Sequence, residues 1–285
     1  MLEVARRRLK GTPVQNWRVT SALYRRYVRY LSRGLPGGSD SVRVSFRGLE
    51  LEIERGDITM LPTLLSGEYE AEEIDTLSAL LRQRAAFVDV GANVGVYSLL
   101  AARALESGGR VVAVEPNPDA RRFLELNLQR NSGKRSVEVV PLALADVEGE
   151  LPWARTRYHG TGRLASEVQG PATERVRATT LDRLVASLGL DLRNGAVKID
   201  VEGFEPRVIE GGESTISRER PVLLVEVCGR SSAVASVAWG RAIEILAESY
   251  ERVRVFGPLE PANGAVRDVL EAVVADGRQH NVLLR

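Results

Sequence analysis

The sequence predicts an α/β fold built on a mostly parallel sheet, and three observations predict it. From residue 70 onward, apolar runs of strand length alternate with segments of helical periodicity, the rhythm of βαβ units. Within that rhythm, FVDVGANVGVYSLLAARAL at 87–105 passes from a buried strand through a glycine turn into a helix. The 285 residues, 44% apolar and 27% charged, have the composition of one large globular domain or two modest ones, not of a disordered or collagen-like chain.

Taken in order, residues 16–32 place Trp17, Tyr24, Val28 and Leu31 at helical spacing with Arg18, Arg25 and Arg29 turned away, an amphipathic basic helix. LPGGSDS at 35–41 reads as a linker, so 1–41 is expected to be an extension and 42–285 the main domain. VRVSFR and ELEIE, separated by Gly48 and Leu49, alternate like a hairpin. Helices are expected at 70–81, 94–105 and 119–129, and strands at 86–90, 110–115 and 137–142. At 147–178 Gly149, Gly160, Gly162, Gly170 and Pro171 interrupt short alternating runs, which suggests a β-rich insertion or flap. A helix at 180–188 has Thr180 as its cap. Buried strands at 196–200 and 222–227 flank a short helix at 205–210, a long helix covers 234–250, and 251–256 and 281–285 read as closing strands.

The net charge of +1 hides a split. Residues 1–33 hold nine basic side chains and one acidic, a local charge of +8, which leaves the remaining chain at −7. A body of that sign is a poor platform for nucleic acid, whose binding needs Lys and Arg against phosphates, so no nucleic-acid partner is expected. The basic arm could instead meet an anionic membrane surface, cap the domain or join a second copy in a homodimer. Cys228 stands alone and cannot form an internal disulfide. No run approaches the ~18 to 20 apolar residues that span a bilayer, and MLEVARRRLKG lacks the apolar core of a signal peptide. The expectation is a cytoplasmic protein, membrane-peripheral if the arm binds lipid.

The chemistry concentrates at 87–120. A strand runs into Asp89, and the turn Gly91-Ala92-Asn93-Val94-Gly95 opens a helix whose first N–H groups can face a polar ligand. Twenty residues after Gly95, Glu115 ends the next strand, where a carboxylate can accept both hydroxyl hydrogens of a ribose. This series suits an adenosine-type ligand. A dinucleotide fingerprint wants G-x-G-x-x-G, but Asn93 stands where its second glycine should be, and Asp89 would repel a pyrophosphate. The same carboxylate would attract the amino group or sulfonium of S-adenosylmethionine. The alternatives are an NAD-dependent oxidoreductase, a catalytically silent cofactor-binding module, and glycines that serve only the turn.

DVGANVG, VEPNP, ALAD at 143–146, TTLD at 179–182, VKIDVEGFEPRVIEGG at 197–212 and VEV at 225–227 together resemble the FkbM-type methyltransferases, a branch of the class I S-adenosylmethionine enzymes. The similarity is clear over about 42–230, and K-I-D-x-E-G is its most specific element; Phe204 takes a spot often given to a small residue. The resemblance implies a Rossmann-like class I methyltransferase fold: a seven-stranded, mostly parallel sheet with helices on both faces and a final antiparallel strand. It also implies transfer of a methyl group to a hydroxyl of a sugar, glycolipid or polyketide-type small molecule. Carried over residue by residue, Asp89, Gly91, Ala92, Asn93 and Gly95 would serve the methionine end and Glu115 the ribose. Pro116 and Asn117 would shape the pocket beside the adenine, Ala145 and Asp146 would lie near its ring, and Tyr69 and Glu70 would cover the cofactor. Asp146 and Glu70 also have plainer readings, as a turn cap and as a helix N-terminal charge.

Asp200 ends the fourth strand, on the side where open α/β sheets bind ligands, and is expected beside both cofactor and acceptor. An alcohol is a weak nucleophile, so a base that takes its proton helps; Asp200, Glu202 and His159 are the candidates. His159 lies in the 147–178 segment, where a histidine can also be incidental, while His280 sits beside the last strand. Lys198 alternates with Asp200 and is placed to pair with a carboxylate or orient substrate. Asp200, Glu202 and Glu226 could also hold a divalent ion, but no ligand spacing demands one, and no metal is assigned.

Overall fold

The computed structural model describes residues 26–28, 30–131, 136–155, 162–164, 174–228, 233–257, 259 and 264–285. Most of the basic arm, including Trp17 and Tyr24, and the flap residue His159 lie outside them. A hairpin of β1 (Ser41–Phe46) and β2 (Leu49–Glu54) comes first, followed by α1 (Met60–Ser66) and α2 (Ala71–Leu81). Then β3 (Ala86–Val90), α3 (Val96–Ala104), β4 (Arg110–Val114), α4 (Pro118–Arg130) and β5 (Val137–Val140) build half of the main sheet. The inserted segment supplies β6 (Ala143–Leu144), β7 (Gly149–Arg155), β8 (Gly162–Leu164) and β9 (Glu174–Thr179). The second half contains α5 (Leu181–Leu188), β10 (Gly195–Ile199), α6 (Glu205–Glu210), α7 (Glu213–Glu219), β11 (Val222–Cys228) and α8 (Ala233–Ser249). It closes with β12 (Val253–Val255), α9 (Val266–Ala275) and β13 (Gln279–Leu284).

The main sheet has seven strands in the order β12-β13-β11-β10-β3-β4-β5. β11, β10, β3, β4 and β5 are parallel, and β13 inserts antiparallel between β11 and β12. Its central strands are buried on both faces, so each reads as a continuous apolar run. Val88, Val112, Val197 and Val225 face a core shared with α5 to α9, and Phe87, Val111, Ala196 and Leu224 face one shared with the hairpin and α1 to α4. Asp89 and Lys198, in register on β3 and β10, and Glu226 on β11 are buried polar exceptions, and all three belong to the cavity described below. The insertion forms a separate four-stranded sheet, β6-β9-β7-β8.

Three details differ from the sequence reading. The hairpin turns at Arg47 and Gly48, both with positive φ, and not at Gly48 and Leu49; two left-handed residues match the twist of a two-residue hairpin, and Leu49 is a buried strand residue. The strand expected at 137–142 stops at Val140, and the chain then pairs briefly with the inserted sheet at β6. Helices α1, α7 and α9 have no counterpart in the expected elements. Of the arm, Val28 is buried in the core shared with the hairpin, while Tyr30 is exposed. Among the described residues no helix is long and apolar enough to cross a membrane.

Candidate active site

A cavity of 760 Å³ opens at the carboxyl ends of β3, β4, β10 and β11. The glycine loop forms one wall. Gly91 and Ala92 donate their N–H groups to the Val114 carbonyl at 2.9 and 3.0 Å, tying the loop to β4. Asp200 donates its N–H to the Val90 carbonyl at 3.1 Å, so the start of the loop and the end of β10 lie side by side. Gly91 has φ +81°, and a Cβ there would overlap the carbonyl oxygen of Asp200. Gly95, φ +91°, precedes α3 and passes so close to Leu124 that a side chain would collide with it.

Asn93 also holds a positive φ, 49°. Its N–H donates to Glu115 Oε2 at 2.8 Å, and its side-chain Oδ1 is buried with no partner. The other oxygen of Glu115, Oε1, accepts the Asn117 N–H at 2.8 Å. Burial pushes the Glu115 carboxyl up to about 7, against the backbone N–H groups of Asn117 and Asn93 that favour its charged form. Asn127, buried on α4, supports the loop from behind: its amide donates to the carbonyls of Val94 and Glu52 and accepts the Glu52 N–H, joining the hairpin to the loop.

Charge is concentrated on the strand ends. Asp89 is fully buried and accepts from Ser98 Oγ at 2.6 Å; burial raises its pKa against the pull of Lys198. Lys198 Nζ donates to Asp200 Oδ2 at 2.7 Å and sits 4.7 Å from the centre of the Tyr97 ring. Burial would lower the Lys198 pKa, but Asp200, Glu70 and Asp89 outweigh it and hold the ammonium charged. Tyr97 in turn donates to Glu70 Oε2 at 2.5 Å, fixing Glu70, a left-handed residue with φ 38°, at the head of α2. Tyr69 packs edge-on against Phe46, so the hairpin braces the cavity's roof. Deeper in, Glu205 accepts the N–H groups of Val201 and Gly203 at 2.9 and 3.0 Å on Oε1, and burial raises its carboxyl to about 7. Burial and the neighbouring Asp200 and Glu205 push Glu226 up to about 9, while Gln279 donates to its Oε1.

Of the residues singled out in the sequence, Tyr69, Glu70, Asp89, Gly91, Ala92, Asn93, Glu115, Pro116, Asp200 and Glu202 line this one cavity. Gly95 and Asn117 stand behind it, Asn117 capping α4 by accepting the Asp119 N–H. Ala145 packs against Gly211, and Asp146 is paired with Arg207; neither is among the lining residues, where Leu142, Ala143, Leu144 and Trp153 stand instead. His280 is buried with Nε2 at 2.5 Å from Asp276 Oδ2 and does not line the cavity. Tyr97, Ser98, Glu205 and Gln279 were not expected. Only Glu205 left a trace in the sequence, an acid two residues after Gly203 and just before Pro206.

A family model described as the methyltransferase FkbM domain matches residues 89–271, more than half of the chain and all of this site except its roof and Gln279. The chain belongs to the FkbM methyltransferase family. Among solved structures, an FkbM methyltransferase from Methylobacillus flagellatus is 16% identical with a TM-score of 0.49, covering 95% of this chain. The chain spans 61% of that protein's length. An O-methyltransferase from Bacillus cereus in complex with SAH is 15% identical, TM-score 0.44, covering 75% of this chain and 80% of its own. A precorrin-6y C5,15-methyltransferase from Geobacter metallireducens is 14% identical, TM-score 0.41, covering 75% and 88%. Comparison with curated proteins finds no match. Among the described lining residues nine are acidic and one, Lys198, is basic. That balance suits a cationic ligand and disfavours a pyrophosphate.

Proposed function

We propose that the chain is an S-adenosylmethionine-dependent O-methyltransferase whose acceptor is a hydroxyl of a sugar, glycolipid or polyketide-type small molecule. The observation that carries this reading is the junction of the glycine loop, Glu115 and Asp200 around one cavity. The residues fit the cofactor. Glu115 keeps lone pairs on both oxygens for the ribose hydroxyls after accepting one N–H on each, and the unpartnered Asn93 Oδ1 offers a further acceptor. Asp89 supplies negative charge toward the methionine end, and Gly91 leaves the backbone bare where a Cβ has no room. When bound, S-adenosylmethionine supplies a methyl group on a positively charged sulfur.

Asp200 is the base that the geometry favours. It lines the cavity, and Lys198 fastens its Oδ2, leaving Oδ1 to take the acceptor's hydroxyl proton. With S-adenosylmethionine bound, the acceptor oxygen would take its methyl group as the S–C bond gave its electron pair to sulfur, and Asp200 would keep the released proton. Lys198 stays protonated and positions Asp200; it is not itself a base. Base assistance contributes about 10²- to 10⁴-fold, and holding oxygen and methyl in line contributes most of the rest. The test is turnover with a methyl-labelled donor across glycans, glycolipids and polyketide alcohols. Label on an acceptor oxygen supports the reading. Label on carbon or nitrogen overturns the O-methyl part, and cofactor binding with no transfer to any of them supports a silent binding module.

A further inference from the structure

Three carboxylates gather at the ends of β10 and β11. Asp200, Glu205 and Glu226 each bring one potential ligand oxygen within 4.8 Å of the others. The parallel register pairs Ile199 with Val225, which sets the next residues, Asp200 and Glu226, side by side, and the start of α6 brings Glu205 beneath them. Each acid is fastened by one oxygen only: Asp200 Oδ2 by Lys198 at 2.7 Å, Glu226 Oε1 by Gln279, and Glu205 Oε1 by the N–H groups of Val201 and Gly203. The second oxygen of Glu205, Oε2, is fully buried and has no hydrogen-bond partner. A carboxylate oxygen buried without a donor is costly unless something charged or hydrogen-bonding meets it.

Among the described residues the chain supplies one cation, Lys198, to three acids. Three carboxylates, each held in place by a second contact and each with an oxygen close to the other two, are the donor set of a hard divalent ion, and an all-oxygen set selects the magnesium and manganese class over zinc or copper. Asp200 and Glu226 line the cavity, so an ion between them is reachable from it. We propose that Asp200, Glu205 and Glu226 hold a magnesium-class cation on the acceptor side of the cavity. Its remaining coordination positions take two neighbouring hydroxyls of the acceptor. That second part rests on the O-methyltransferase reading; the ion site does not. The ion makes a bound hydroxyl more acidic, so the weak base that Asp200 becomes as a ligand is sufficient, and it points to a vicinal diol as acceptor.

Titration of the full chain with Mn²⁺, followed by electron paramagnetic resonance, tests the site directly. One Mn²⁺ per chain, displaced by Mg²⁺, is the expected result. Glu205→Gln should weaken it at least about 10-fold, since even groups that only orient ligands cost 10- to 100-fold, whereas Glu202→Gln, a cavity carboxylate outside the trio, should leave it within about twofold. S-adenosylhomocysteine binding by calorimetry checks that the variant is folded, and Glu226→Gln replaces Glu205→Gln if it is not. Absence of a saturable Mn²⁺ site below about 1 mM overturns the proposal, as does a site that Glu205→Gln and Glu226→Gln both spare. Mn²⁺ binding without S-adenosylhomocysteine binding would instead keep the ion site and reject the cofactor reading.

Discussion

At the glycine-loop end of the cavity Glu115 is buried beside backbone N–H groups, whereas at the strand-end side the half-buried Asp200 and the buried Glu205 and Glu226 lie beside one another. At the first end the chain meets the carboxylate with its own backbone: Asn93 of the turn and Asn117 beyond β4 each donate an N–H to Glu115, and Asn127 secures the loop to the hairpin. At the second end the only ammonium among the described lining residues is Lys198, and burial with mutual repulsion drives Glu226 toward its neutral form. The difference teaches that one end is a preformed mould for a fixed ligand. The other is built to be completed by what enters it.

The largest expected effect separates the ends by chemistry. Asp200→Asn should lower kcat about 10²- to 10⁴-fold while S-adenosylhomocysteine binds nearly as before. Equal losses in kcat and in binding would show that Asp200 belongs to the mould and not to the acceptor side. Next, Gly91→Ala forces a Cβ into the Asp200 carbonyl at a φ of +81°, where the two ends touch. It should cost at least about 2 kcal/mol in urea unfolding, from strain at positive φ plus overpacking. A loss below about 0.5 kcal/mol would mean that the loop and β10 can part freely.

Glu115→Gln probes the preformed end alone. A glutamine offers one acceptor where the carboxylate offers two, so a buried N–H of Asn93 or Asn117 loses its partner. Affinity for S-adenosylhomocysteine should drop about 10- to 100-fold, the range of one unsatisfied buried group, with little change in Mn²⁺ binding. If Mn²⁺ binding falls as much, the two ends are not independent.

How much of this was legible beforehand follows the same division. The loop end was readable because glycine turns and strand-end acids sit within about 30 residues of sequence, at spacings that βαβ geometry dictates. The strand-end acids come from β10, α6 and β11, and their convergence depends on register, which no local pattern encodes. Glu205 looks like an ordinary acid in a helix's first turn, yet it is fully buried. Helix α9 buries Val266, Val269, Leu270, Val273 and Val274, a helical stripe, but its valines are strand formers and the sequence before it is rich in Pro and Gly. Helix α1 is seven residues long with Pro62 in its first turn, too short for periodicity to register. Ala145 and Asp146 were placed by resemblance alone; the inserted sheet packs one and Arg207 engages the other.

The smallest expected effect is on pH dependence. Glu226 holds its proton up to about 9, from an ordinary 4.5, so across that window the folded chain binds a proton that the unfolded chain has released. Its contribution to stability is complete below the unfolded value and is lost as pH rises toward about 9. Without divalent ions, thermal unfolding of the native chain should weaken with alkalinity more steeply than that of Glu226→Gln. Parallel curves would show that the acids are not crowded. Added Mg²⁺ should flatten the native curve, because an ion in place of the proton favours the ionised acid.

The most direct test of the central claim, that this cavity is moulded to an adenosylated methyl donor, is a calorimetric titration of the full chain with S-adenosylhomocysteine beside one with NADH. The account predicts a single S-adenosylhomocysteine site per chain and no NADH binding at the same concentrations. NADH binding with S-adenosylhomocysteine excluded would contradict it.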